Sequence, residues 1–99
     1  MKIEIEFQDR NIHNALEEPH SNYWTNELRW DPVDWVGYVV DVEEDGEPMV
    51  EINREKIVLA LRQMSLLAPS VFARVISNDT DGPDRDLFLQ FVAFGEVKY

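Results

Sequence analysis

Apolar and polar residues alternate strictly at the start of this 99-residue chain, where "KIEIEF" puts Ile3, Ile5 and Phe7 on one side and Lys2, Glu4 and Glu6 on the other. That period of two predicts a strand over residues 2–7. Asp9 can cap a short helix whose apolar positions are Ile12, Ala15 and Leu16, and Pro19 in "EEPHSN" cannot continue it. "YWTNELRW" reads as a strand or extended segment through Trp24, Leu28 and Trp30, and "DPVD" as a turn with Pro32 in its second position. "WVGYVVDVEEDGEPMVEI" is two β-rich runs around Asp45-Gly46, a hairpin dipeptide. Its even positions (Val36, Tyr38, Val40, Val42, Val50, Ile52) read as the core face. Its odd positions (Gly37, Val39, Asp41, Glu43, Glu47, Met49, Glu51) read as the outer one.

The period then changes to that of a helix. Asn53 is a fitting N-cap for residues 54–67, where Ile57, Ala60, Leu61, Met64, Leu67 and Ala68 fill one broad stripe. Pro69 stops that helix. Ser70 can cap a shorter one with Val71, Phe72, Val75 and Ile76 inward. A last helix covers Leu87–Phe94, with Gly95 as the residue after it. The order is β-α-β-β-β-α-α-α. Strands grouped ahead of helices predict an α+β fold, a mainly antiparallel sheet of about four strands with helices packed on one face. The length predicts one domain, residues 1–99.

Composition narrows the function classes. An apolar share of 44% is that of a globular chain and excludes general disorder despite the charge. With no cysteine, disulfides and thiolate zinc sites are excluded, which fits a reducing cytosol. The opening residues lack the apolar region of a signal peptide, and no apolar run approaches the ~20 residues of a membrane span.

The charge is lopsided. Residues 1–52 carry fourteen acids against three bases, which accounts for the whole net charge of −11; residues 53–99 carry six of each. Between Arg29 and Arg54 stand eight acids and no base. Direct nucleic-acid binding is disfavoured because phosphate contacts need Lys and Arg, and anionic membranes repel such a chain.

"NDTDGPDRD" invites comparison with a calcium loop. Setting Gly82 at the sixth EF-hand position puts Ser77, Asp79 and Asp81 at ligand positions, but Phe88 falls where the bidentate carboxylate belongs. The preferred reading is a solvated turn in which Asp84 or Asp86 caps the last helix. His13 and His20 have no metal-pair spacing, no serine sits in an activating motif, and the four glycines form no phosphate loop. No cofactor, metal or catalytic residue is therefore expected.

Two features point to binding. Tyr23, Trp24, Trp30 and Trp35 are either core rings at one end of the sheet, the preferred reading, or hot-spot anchors, with Trp24 and Trp30 the candidates. On the hairpin, Asp41 and Glu43 on one strand, Glu47 and Glu51 on the other and Glu44 and Asp45 at the tip form a candidate acidic face. Outer acids spaced ~6.6 Å along each of two strands would present about one charge per 3.3 Å, close to the ~3.4 Å of one DNA strand. Such a face suits a protein groove built for phosphates; the competing reading is a solubilising surface. "LFLQFVAF" is either buried between sheet and helix or partly in contact with a second subunit.

"NYW" at 22–24, "EKIVLALRQM" and above all "DLFLQFVAFGEVKY" resemble a family of small acidic proteins encoded by bacteriophages and prophages, most of them without an assigned role. The block that carries the resemblance is Asp86, Phe88, Leu89, Gln90, Phe94, Gly95, Glu96, Val97 and Tyr99. The chain departs from the pattern at Gly82-Pro83 and over its first third. The resemblance implies a setting in the cytoplasm of a bacterial host. By analogy it implies an inhibitor of host defence (anti-CRISPR or anti-restriction) whose partner is a host protein with a basic nucleic-acid-binding groove. The alternative is a structural or regulatory phage protein that works as a homodimer or larger oligomer through its last helix.

Overall fold

A computed structural model describes residues 9–17 and 23–99. The strand expected at 2–7, the breaker Pro19 and His20 lie outside them. The described elements are α1 (Asp9–Glu17), β1 (Leu28–Asp31), β2 (Val36–Val40), β3 (Met49–Asn53), α2 (Arg54–Leu67), α3 (Pro69–Ile76) and α4 (Gly82–Phe94). The fold is α+β. The three strands form one antiparallel sheet in the order β1-β2-β3. The three strands expected within the described residues are present; the fourth expected strand, 2–7, lies outside them.

Helices cover one face of the sheet. α4 is the central element, packed against α1, α2, α3 and β3. Its residues 88–93 are all buried, Gln90 included. This explains why "LFLQFVAF" shows no clean amphipathic stripe: neighbours surround it. Of the two expectations for this segment, burial inside the fold is the one found. Around α4 the core gathers Ile12, Ala15 and Leu16 from α1 and Ile57, Ala60, Leu61 and Met64 from α2. Trp24, Val39, Ile52 and Val75 complete it.

The inner face of β2 differs from the alternation reading. Val39 is fully buried, whereas Val36 is 47% exposed and Tyr38 and Val40 are only half-buried. The reason is parity. Directly opposed residues share a face, and the register pairs Val39 with Val50 and Gly37 with Ile52. Odd positions of β2 therefore face the same way as even positions of β3. Ile52, fully buried, decides which way that is. A two-residue Asp45-Gly46 loop would have forced the same odd-even pairing, so the two sets of even residues could never have shared a face. Gly37 sits opposite Trp30, and a Cβ there would clash with the Arg29 carbonyl oxygen.

Local capping chemistry sets the helix ends. The Asn53 side chain accepts from the Lys56 amide at 2.9 Å and starts α2 where expected. Pro69 ends α2 but also occupies the first turn of α3, where its missing N–H is no loss. Ser70 is inside that helix and Ala68 holds the N-cap position. α4 begins five residues earlier than the apolar run suggests. Asp81, rather than Asp84 or Asp86, is its N-cap, and Asp84 completes a capping box. Gly95 ends α4 in the left-handed region at φ 73°, as its place in the sequence implies.

Candidate partner-binding end

The acidic candidates lie in a loop rather than on two strands. β2 stops at Val40 and β3 starts at Met49. Residues 41–48 form a closed loop, held by the Asp41 amide donating to the Pro48 carbonyl at 3.0 Å and the Glu47 amide to the Glu44 carbonyl at 3.0 Å. Gly46 and Glu47 both have positive φ, 83° and 46°. The expected strand-borne ladder of charges is therefore absent, because only Glu51 among the six acids belongs to a strand.

Asp41, expected on the outer face, is fully buried. Its carboxylate accepts from the Tyr99 hydroxyl at 2.7 and 2.8 Å, from Lys98 Nζ at 3.0 Å, and from the amides of Glu43 and Glu44 at 3.1 and 3.3 Å. Burial alone would push its carboxyl up. The Tyr99, Lys98 and Glu43 hydrogen bonds outweigh it and hold the group below the usual carboxylate range. Asp41 is thus an anchor under the loop. Glu43, Glu44, Asp45 and Glu47 are exposed above it, and Glu51 is exposed on β3. Glu44 is partly neutralised by Lys98 Nζ at 2.7 Å. The Val40 amide donates to the Glu27 carbonyl at 3.1 Å, which brings exposed Glu27 to the same end of the sheet. Glu27 escapes a reading by sequence because it is fourteen residues before the loop and only strand pairing brings it there.

The tryptophans divide. Trp24 is fully buried and its indole N–H donates to Asp86 Oδ1 at 2.6 Å. Trp30 is half-buried against the core, and its N–H donates to His13 Nδ1 at 3.0 Å. Trp35 lies 4.4 Å from the His13 ring and 6.0 Å, edge-on, from Trp30, with the Arg54 guanidinium 4.6 Å from its ring centre. Trp24 therefore offers no surface to a partner. Trp30 and Trp35 are at the opposite end of β2 from the acidic loop, across the 32–35 turn.

The "DLFLQFVAFGEVKY" block closes on the same loop. Asp86 takes the Trp24 N–H with one oxygen and the Gln90 amide with the other, at 2.9 Å. Gln90 Oε1 accepts from the backbone amides of Lys98 at 3.0 Å and Tyr99 at 2.7 Å. The turn at Gly95 folds residues 96–99 back, and the Tyr99 ring stacks on Trp24 at 5.8 Å and 12°. Lys98 and Tyr99 then reach Asp41. Asp86, Gln90, Lys98 and Tyr99 thus tie α4 and the last residues to the loop. Asp41, Lys98 and Tyr99 are one unit that no local motif discloses, since 58 residues separate Asp41 from Tyr99.

In the calcium-like loop, Asp81 and Asp84 are consumed by the cap, and Asp84 forms a two-point pair with Arg74 at 2.6 and 2.9 Å. Among the described residues no group of three or more His, Asp or Glu is arranged to hold a metal ion. None of the described helices is long and apolar enough to cross a membrane. Comparison with protein-family models, with curated proteins and with solved structures finds no match to this chain.

Proposed function

We propose that the chain is a binding module whose acidic end engages a basic, nucleic-acid-binding groove on a host defence protein, in the manner of a phage-encoded anti-CRISPR or anti-restriction inhibitor. The observation that carries this reading is the anchored loop. Glu43, Asp45 and Glu47 are exposed and make no ion pair among the described residues, and buried Asp41 fixes the loop from below. Asp41 holds the loop to the last residues of the chain, so the exposed carboxylates above it stand on a fixed backbone. Preorganised charge costs less ordering entropy on binding. Like charges gathered at one end also steer encounter with a cationic groove.

The test is capture of host nucleic-acid-binding proteins by the immobilised chain, with and without competing duplex DNA. The parent should capture a protein that DNA displaces. The variant Glu43→Gln, Asp45→Asn, Glu47→Gln, Glu51→Gln should stay folded by circular dichroism and lose capture by tenfold or more. Binding by the parent should weaken as salt rises, because exposed charges are screened over roughly 8–10 Å at physiological ionic strength. Undiminished capture by the folded variant, or indifference to DNA, refutes the reading.

A further inference from the structure

One aromatic ring at the acidic end stays outside the core. Tyr23 is 67% exposed, whereas Trp24 beside it is fully buried. The Trp24 carbonyl accepts from the Val42 amide at 2.8 Å, so Tyr23 is the residue before that bond on one segment and Glu43 the residue after it on the other. The Tyr23 and Tyr99 rings meet edge to face, 6.0 Å apart at 77°. That contact gives the Tyr23 ring a fixed place and leaves most of it to solvent. The hydroxyl of the same Tyr99 is bound to Asp41 under the loop.

This end already holds one cation of its own. Lys98 Nζ lies 3.0 Å from Asp41 and 2.7 Å from Glu44, and also 4.9 and 5.4 Å from the centres of the Phe94 and Tyr99 rings. Carboxylates together with ring faces are thus what surrounds a positive charge here. Tyr23 and Glu43 repeat that combination one ring further out. Among the described residues no cation lies on the Tyr23 ring, and Glu43 makes no ion pair. We infer that Tyr23 is a contact residue of the acidic end and that it selects arginine in the partner, the guanidinium lying on the ring while Glu43 takes its N–H groups. The inference rests on the acidic-end reading above and adds which basic side chain that end receives. A guanidinium is planar, weakly hydrated and able to stack on an aromatic face while its edge donates to a carboxylate; an ammonium is compact and strongly hydrated. At equal charge, an arginine-lined groove is therefore preferred to a lysine-lined one.

The probes are hexa-arginine and hexalysine peptides, blocked at both ends and equal in charge, titrated calorimetrically into the full chain at low salt. The parent should bind hexa-arginine more tightly. Tyr23→Leu, at an exposed position, should keep the melting curve and the hexalysine affinity. It should lose about two- to fivefold for hexa-arginine, the size of one exposed cation–ring contact. Tyr23→Phe should keep the parent's preference, because the ring and not the hydroxyl makes the contact, and Tyr23→Trp should widen it. The variant Glu43→Gln, Asp45→Asn, Glu47→Gln, Glu51→Gln should lose both peptides. Three results overturn the role of Tyr23 and leave the acidic-end reading standing: equal affinity of the parent for the two peptides, an arginine preference that survives Tyr23→Leu, or a Tyr23→Leu variant that loses hexalysine equally. A parent that binds neither peptide, or a four-acid variant that binds both as tightly as the parent, overturns the acidic-end reading and the role of Tyr23 with it.

Discussion

Asp41 and Glu43 are two residues apart, both acidic, and they do opposite work. Asp41 is enclosed by a hydroxyl, an ammonium and two amides, while Glu43 meets solvent. Replacing Asp41 with Asn keeps the shape, but it removes the charge that Lys98 and Tyr99 are arranged around. A fully buried pair broken in this way costs roughly 3–5 kcal/mol. Here Lys98 keeps a third of its side chain in solvent, which reduces the expected loss to about 2 kcal/mol. For a domain of this size that is a fall in Tm of roughly 10 °C. Glu43→Gln should leave Tm within about 2 °C, the usual range for an exposed position. Thermal melts of the two single variants, measured side by side, test the division directly. Equal melting would mean that Asp41 is not the anchor, and the argument for a preorganised loop would fall with it.

At the scale of elements, what is legible depends on whether the signal is local. The Asn53 cap, the end of α2 at Pro69 and the left-handed Gly95 each rest on a few adjacent residues and stand where the sequence puts them, whereas α3 starts at Pro69 itself and not after a Ser70 cap. The face of β2 rests on no such local signal, because register is a relation between strands. Val36, Tyr38 and Val40 look like a core stripe until Ile52 fixes the pairing. The start of α4 is half legible. An aspartate caps it, but Asp81 is the one, since Gly82 and Pro83 fit the first turn and the helix can begin before its apolar run. The candidate site fares similarly. The exposed loop acids are visible in composition, but the role of Asp41 and the arrival of Glu27 are made by contacts across the chain. A capping test follows. Asp81→Ala should cost ~1 kcal/mol and about 5 °C in Tm. Asp84→Ala should cost more, because Arg74 also loses its partner. Asp79→Ala should be close to neutral. Melts repeated with added calcium and with a chelator should coincide. A calcium-dependent rise in Tm that Asp79→Ala abolishes would replace the cap reading with a metal site.

At the scale of the whole molecule, the ion pairs define a pH window with two limbs. On the acid side, the Arg74 hydrogen bonds hold the Asp84 carboxyl below its usual range, and Asp41 is held low as well. Groups lowered by folding stabilise the fold above their unfolded value of about 4, and that contribution is lost as pH falls through the folded one. On the alkaline side, Glu44 and Asp41 raise Lys98, while burial and then Asp41 raise Tyr99. A folded state that prefers its protonated form contributes in full below the unfolded value, about 10 for both, and loses that contribution as pH climbs through the folded one. The acid limb loosens both the start of α4 and the loop anchor. The alkaline limb loosens the anchor alone, and from there the segment 96–99 that lies on Trp24. Tyrosinate absorbance and tryptophan fluorescence can follow this together. Subtracting the titration of Tyr99→Phe from that of the parent should isolate one ionisation above the ordinary tyrosine value, and the Trp24 emission should change over the same pH range. The variant should lose some of its Tm near pH 8 yet retain its acid limb, because Asp84 and Arg74 are untouched. A difference titration centred at about 10, with no linked change in emission, would show that Tyr99 is not held by Asp41 in solution. The loop would then lack the anchor that makes its charges a preformed surface.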